Sequence, residues 1–359
     1  MLILSEADVR TCLPMERAIE ANKRALGSLR RAGDGGATVP TRIGLPYRGS
    51  SSAAAAEDWT LFKPAMYVPS NDVGGNQPSL MGMKLVSVRG GNPSLGLPTV
   101  PATVMLVDCK TGIVNALLGG TYLTAARTAA GSAVATDCMT SSNKRLHLLV
   151  FGAGLQADMH IEAIRSVRNI GRISIVNRSA GRAEELVATT REKMKETEEQ
   201  EIEMDVTLLG DRDAVKDVVR TADIICTTTN TTTPLFDGSW VKPGCHLNGV
   251  GSFTASMEEI PSDFIEKRCH VVIDTPEAIN VGDLKCISEA SRNYVGLLGD
   301  VMAGNAHLAH DDNKCSCIAE STLDCSLFKS VGTAIQDVIT AHEVYQEAIR
   351  RGVGTEVKM

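Results

Sequence analysis

The chain of 359 residues predicts an α/β fold in which a parallel sheet carries helices on both faces. Three observations point there. Strand-like apolar segments at 146–152, 172–177, 204–209, 223–227, 245–250 and 270–274 alternate with helical patterns. The first of them runs directly into Gly152-Ala153-Gly154-Leu155-Gln156-Ala157 and a helix continuing over 158–167. The length leaves room for a second domain with its own core.

Before that alternating region the pattern differs. Ser5 followed by Asp8 reads as a helix N-cap with a carboxylate in the first turn. Met15, Ala18, Ile19, Leu26 and Leu29 recur at helical spacing and predict a helix over 13–31, with Asn22 interrupting its apolar face and the glycine run 33–36 ending it. Strands are expected at Trp59–Val68, Leu80–Val88, Thr99–Val107 and Ile113–Leu118, with Gly49–Glu57 as a hairpin loop. Thr121–Cys138, rich in alanine, predicts a buried helix, and Arg191–Glu203 a solvated segment. Phe328–Arg351 reads as one long helix closing at Gly352.

Composition excludes several classes. A net charge of −7 gives no long-range attraction for nucleic acid or anionic lipid. No stretch approaches the ~20 apolar residues of a membrane span. The apolar start at Met1–Leu4 is too short for a secretion signal. Ten scattered cysteines suit a reducing compartment, so a cytoplasmic protein with free, mostly buried thiols is expected. Cys315 and Cys317 lack a second pair at zinc spacing, and no metal site is expected.

The glycine segment carries the first chemical signal. Gly152 permits the tight turn, Gly154 lets the backbone approach a pyrophosphate, and Ala157 keeps the helix close to the strand. The helix N-terminus adds free N–H groups and a positive dipole. Together they predict a nicotinamide dinucleotide cofactor. At the end of the second strand, where NAD enzymes usually carry a carboxylate for the ribose, the chain reads Asn177-Arg178-Ser179. An arginine with two neutral hydrogen-bonding neighbours favours NADP(H) over NAD(H).

The second signal is a set of cations in apolar surroundings. Lys84 and Arg127 interrupt an apolar strand and an apolar helix, and Arg42 follows Val39-Pro40-Thr41. Buried cations need anionic partners, and carboxylates are scarce in these segments, so an anionic ligand is expected.

Taken together, Pro40-Thr41-Arg42, Gly82-Met83-Lys84, Gly91-Asn92-Pro93, Gly96–Val100, Arg127–Ala130, the glycine segment, Asn177–Ser179, Trp240–Gly244 and Leu327–Gly332 resemble the ornithine cyclodeaminase/mu-crystallin family over nearly the whole chain. The resemblance implies a Rossmann-type domain at 126–314. That domain would be inserted into an α+β substrate-binding and dimerisation domain made of 1–125 plus 315–359. It also implies that Arg42, Lys84 and Arg127 clamp a substrate carboxylate, with Lys84 and Arg127 closest to the chemistry. Thr99, Lys329 and Ser330 would line that pocket. Thr128, Thr228, Val250 and Gly251 would join Gly152, Gly154, Leu155, Gln156, Ala157 and Asn177–Ser179 around the cofactor.

One departure bears on the reaction. The cyclodeaminases and related alanine dehydrogenases carry an aspartate where this chain, reading Gly249–Thr254, has Phe253. A phenyl ring handles neither an amine nor a water. The expected activity is therefore NAD(P)H-dependent reduction of a cyclic ketimine, Δ1-piperideine-2-carboxylate or Δ1-pyrroline-2-carboxylate, to L-pipecolate or L-proline. Ornithine or lysine cyclodeamination is the alternative. So is a mu-crystallin-like protein that only holds NADPH and a small carboxylate such as thyroid hormone. The partners expected are a small carboxylate-bearing imine or amino acid and a second copy of the chain. Glu258, Glu259, Glu277, His160, His307 and His310 read as structural or surface groups, and Asp300 as a helix cap.

Overall fold

The computed structural model describes residues 1–29, 36–47, 58–69, 78–140, 144–195, 201–288, 296–304 and 323–358. The Gly49–Glu57 loop, the His307/His310 and Cys315/Cys317 pairs and residues 196–200 lie outside the described residues. Two compact units form, Met1–Arg127 with Gly332–Met359, and Thr128–Val331. The boundaries expected at 125/126 and 314/315 thus fall at 127/128 and 331/332.

The first unit opens with β1 (Leu2–Leu4) and α1 (Glu6–Cys12). Ser5 caps α1: the Asp8 N–H donates to Ser5 Oγ at 3.2 Å, and the Ser5 N–H donates to Asp8 at 2.9 Å. Pro14 separates α1 from α2 (Met15–Gly27), so the helix expected over 13–31 is shorter at both ends. Then come β2 (Gly36–Thr38), β3 (Ile43–Tyr47), β4 (Asp58–Val68), β5 (Leu80–Val88), β6 (Ala102–Val107) and β7 (Val114–Gly119). The strand expected from Thr99 begins at Ala102. The Thr99 and Pro101 carbonyls still accept from Arg89 and Ser87, but Pro101 has no N–H to return. Helix α3 (Thr121–Met139) carries the chain across the first boundary.

These strands form a sheet in the order β16-β1-β7-β6-β5-β4-β2, with β3 also on β4 and β16 (Thr355–Glu356) at the far edge. The C-terminal helix of this unit packs on α2 and on β4, β5 and β6. On β5 the buried residues Leu80, Gly82, Lys84 and Val86 alternate with more exposed ones, so the period-2 pattern points one face at the helices. Lys84 sits on that buried face.

The second unit is an eight-stranded, all-parallel sheet. In chain order it contains β8 (Leu146–Phe151), α4 (Leu155–Arg165), β9 (Ile170–Asn177), α5 (Ala180–Met194), β10 (Glu203–Leu208) and α6 (Arg212–Thr221). Next are β11 (Ile224–Thr227), β12 (His246–Gly249), α7 (Ser262–Arg268), β13 (Cys269–Ile273), β14 (Gly296–Leu297), α8 (Leu298–Met302) and β15 (Cys325–Lys329). The spatial order is β10-β9-β8-β11-β12-β15-β13-β14, so the direction of winding reverses beside β8. Along β8, Leu148 and Val150 join one core while Leu149 and Phe151 join another on the opposite face. A central parallel strand is apolar on both sides for this reason.

The helix expected over Phe328–Arg351 is in fact two elements. Residues 325–329 are β15, buried throughout and paired on both sides, and α9 begins only at Ala334 and runs to Arg351. A strand buried on both faces shows no alternation, so its sequence merges with the start of a helix. The turn between them needs Gly332 at φ +75°, and α9 closes at Gly352 with φ +66°. Asp300 lies in the first turn of α8, while the cap position is Leu297. Among the described residues no helix is long and apolar enough to cross a membrane. The eight described cysteines are free thiols, five of them buried.

Candidate functional site

In the first unit the sheet register assembles a row of cations. Lys63 on β4 is the cross-strand partner of Lys84 on β5, and Lys84 faces Val104 on β6. Two like charges directly opposite each other oppose pairing unless an anion intervenes. Helix α9 supplies one. Lys84 Nζ donates to Asp337 Oδ1 at 2.7 Å, and Arg127 Nε, from α3, donates to the same oxygen at 2.8 Å. Lys63 Nζ lies 3.9 Å from Asp337 Oδ2 and donates to the Gly332 carbonyl at 2.9 Å. A Cβ at Gly332 would lie 2.6 Å from Arg127 Nη1, so the glycine is what lets the guanidinium reach α9. Gln336 receives a longer contact from Arg127 at 3.4 Å and donates to Asn22 at 2.8 Å, which explains the polar break in α2.

All four charged groups are at most 5% exposed. Burial works to raise the Asp337 carboxyl, but Arg127, Lys84 and Lys63 outweigh it and hold the group at about 2. Burial, reinforced by Arg127 and opposed by Asp337, pushes Lys84 well below the ordinary lysine value. The expectation that these cations have no carboxylate at hand is therefore corrected: Asp337 is theirs, contributed from 210 residues beyond Arg127. One carboxylate oxygen nevertheless serves two cations, while Asp337 Oδ2 is buried without a hydrogen-bond donor among the described residues. An anion remains electrostatically welcome.

The other expected pocket residues are placed as follows. Arg42 is half-buried, one residue before Ile43, the first residue of β3, whose partner is Phe62. Thr99 is exposed in the β5–β6 connection. Lys329 and Ser330 belong to the second unit. Lys329 Nζ donates to Ser252 Oγ at 2.5 Å and to Asp283 Oδ2 at 2.9 Å, and Ser330 Oγ donates to Asp274 at 3.0 Å. Both are buried and hydrogen-bonded within their own unit.

In the second unit, the end of β8 forms a cradle. Gly152 adopts φ +110°, and a Cβ there would lie 2.7 Å from Thr228 Oγ1. Thr228 is fixed on the other side, its N–H and hydroxyl both donating to the Phe151 carbonyl, at 2.9 and 2.8 Å. Gly154 caps α4 with extended backbone and no side-chain cap, and a Cβ there would meet open space. The first N–H groups of α4 are thus left for a ligand. Gln156 Oε1 is buried without a hydrogen-bond partner among the described residues, Leu155 is exposed, and Ala157 is fully buried. Asn177 donates to the Ser179 carbonyl at 3.0 Å, presenting Arg178 and Ser179 to solvent. The cradle sits where the winding reverses, the position at which such sheets bind dinucleotides, and its donor set fits one. Thr128, on α3, is buried.

The segment after β12 is held from behind. The Val250 and Gly251 N–H groups donate to the Thr227 carbonyl, both at 3.0 Å. Glu259 accepts from Thr227 Oγ1, from Thr229 N–H and Oγ1, and from the Gly251 and Ser252 N–H groups, at 2.6–3.1 Å. Burial and nearby Asp283 push its carboxyl up, against the pull of Lys329. This brace positions Phe253, which is half-buried. Glu277 accepts a hydrogen bond from Thr275. His160 is fully buried between Ser132 and the Gln156 carbonyl, and burial lowers it to about 4.

Lys63, Asp337 and Asp283 escaped the sequence reading. Their one common signal is a charged residue at a position where the surrounding pattern demands an apolar one, as in Ala334-Ile335-Gln336-Asp337-Val338.

Comparison with known proteins adds the following. The ornithine cyclodeaminase/mu-crystallin family pattern matches residues 64–352. A Δ1-pyrroline-2-carboxylate reductase of Bacillus cereus is 32% identical over 364 residues, covering all of both chains. The solved structure of Thermococcus litoralis Δ1-pyrroline-2-carboxylate reductase in complex with NADH and L-proline superposes with a TM-score of 0.81 at 28% identity, covering 99% of this chain and 100% of that one. An archaeal alanine dehydrogenase dimer with bound NAD gives 0.79 at 26% identity, over 100% and 99% of the two chains.

Proposed function

The chain belongs to the ornithine cyclodeaminase/mu-crystallin family, and from that premise we propose that it is an NAD(P)H-dependent reductase of cyclic ketimines. Its substrates on this reading are Δ1-pyrroline-2-carboxylate and Δ1-piperideine-2-carboxylate, and its products L-proline and L-pipecolate. The observation that carries the reading is Phe253. The braced segment after β12 presents a phenyl ring where deamination requires a carboxylate, while the cationic cluster that would hold a substrate carboxylate is retained. The Bacillus cereus relative supports the same reading over its full length.

The division of labour follows the two units. The first would bind the substrate carboxylate through Lys84 and Arg127, with Arg42 and Thr99 at its margin. The second would bind the nucleotide through Gly152, Gly154, Leu155, Gln156, Ala157, Thr128, Thr228, Val250 and Gly251. When bound, the reduced nicotinamide supplies the hydride that reaches the imine carbon. The protein's own task is to fix the carboxylate, and with it the C=N carbon, by charge and geometry. Arg178, exposed and without a carboxylate partner among the described residues, supports NADP(H) over NAD(H). A homodimer is supported by Ile43, Leu45 and Tyr47, which alternate along β3 at 54–60% exposure. Free thiols support a cytoplasmic location.

The test is direct. Purified protein given NADPH and Δ1-pyrroline-2-carboxylate should oxidise the cofactor, and ornithine should yield no ammonia. Ammonia from ornithine without net cofactor reduction would replace the reductase by a cyclodeaminase, and tight NADPH binding without turnover would favour a binding protein. Arg178→Ala should raise the KM for NADPH by roughly tenfold and leave that for NADH within about twofold.

A further inference from the structure

The cationic cluster of the first unit has a property beyond holding an anion: its members differ in how readily they change charge. A guanidinium stays charged in proteins. Against the effect of burial, Arg127 and Lys63 pull the Asp337 carboxyl down toward its ionised form. Lys84 is different. It is 1% exposed, and its ammonium shares a single carboxylate oxygen with a guanidinium. The groups that face it are Lys63 from β4, Arg127 and the Thr124 hydroxyl from α3, and Asp337 from α9; β6 presents only Val104. Two of the three charges are repulsive, and burial acts in the same direction as the repulsion.

We propose that Lys84 is uncharged in the ligand-free protein and takes up one proton from solvent when a carboxylate enters the cluster. The step is a simple one: amine plus solvent proton gives ammonium, and no other bond changes. The entering carboxylate adds a second negative charge beside Asp337, and the proton taken up by Lys84 restores the net charge that Arg127, Lys63 and Asp337 give the cluster beforehand. The inference rests on the reading that this cluster is the carboxylate site. Its consequence is a pH-dependent affinity. Where Lys84 is unprotonated in the free protein and protonated in the complex, the Kd rises about tenfold for each unit of pH.

The experiment is titration calorimetry of the NADPH-loaded protein with pyrrole-2-carboxylate, an unreactive carboxylate the size of the five-membered ketimine, in phosphate and in Tris. The difference in heat between the buffers, followed across pH, should report uptake of up to one proton per ligand, declining on either side of the window in which Lys84 changes state. Lys84→Arg, which cannot deprotonate, should keep the Kd within about tenfold, lose the uptake and flatten the pH dependence. Binding without uptake at every pH between about 6.5 and 9 would overturn the proposal and leave the reductase reading intact. Uptake that persists in Lys84→Arg would assign the proton to another group and overturn it equally. Proton-coupled binding without any turnover of ketimine would sink the reductase reading alone, and absence of carboxylate binding would sink both.

Discussion

The two units each bury a lysine completely, and they do so in opposite ways. In the second unit Lys329 is matched with Asp283 and Ser252, and Asp283 in turn accepts from the Glu259 and Ile260 N–H groups. Neighbouring Glu259 has five donors on its two oxygens. In the first unit Lys84 divides one oxygen with Arg127, a third cation stands 3.9 Å from the other, and that other oxygen has no hydrogen-bond donor among the described residues. A closed network of this kind holds a backbone in place, whereas an open one is poised for something that has yet to arrive. Burial alone does not distinguish structural charge from functional charge; the state of the hydrogen-bond inventory does.

The comparison can be broken at either end. The largest effect is expected from Lys329→Met, which strands Asp283 in the second unit's interior. Removing one member of a buried pair should cost about 3–5 kcal/mol of unfolding free energy, read as a fall in the thermal midpoint. A midpoint close to wild type would mean that the network is not closed as described. Arg127→Ala should do the reverse. Asp337 keeps Lys84 and Lys63, so stability changes little, but kcat/KM for the ketimine should fall by roughly 10²–10³ with NADPH affinity preserved. An unchanged kcat/KM would remove Arg127 from the site.

Lys84→Met gives the smallest effect and the most specific one. The folded protein holds Lys84 below its ordinary value, so between the folded and unfolded values the unfolded chain binds more protons and wild-type stability rises with pH. Urea midpoints from about pH 7 to 9 should show a wild-type gain on the order of 1 kcal/mol that the methionine variant lacks. Parallel pH profiles would show that Lys84 titrates normally in the fold.

Much of this was legible in the residues. The glycine turn, six strands of the parallel sheet, the Ser5 cap and the three cations could be read because each depends on near neighbours in sequence or on a period of two or 3.6. Lys84 stood out as a charge on an apolar face, and the face was assigned correctly. What escaped is non-local. Asp337 becomes the partner of Lys84 only when α9 packs on β5, and β15 is recognisable as a strand only once β12 and β13 flank it. Lys63 was passed over because β4 is only partly buried along most of its length, so one lysine there looked ordinary. The partner of Lys329 was hidden for the same reason: Asp283 lies 46 residues away, in a 3₁₀ turn that no periodicity announces.

The origin of Asp337 in the last helix also orders events in time. Residues 332–359 contribute α9 and β16 to a sheet whose other strands are all made before residue 120, whereas the second unit is one continuous stretch. As the chain is synthesised, the second unit can therefore finish folding while the first still waits with Lys63 and Lys84 facing each other across the ladder and no carboxylate between them. The anionic side chain that makes their pairing tolerable comes 210 residues after Arg127, so the sheet that carries the cations closes only after the second unit has been made.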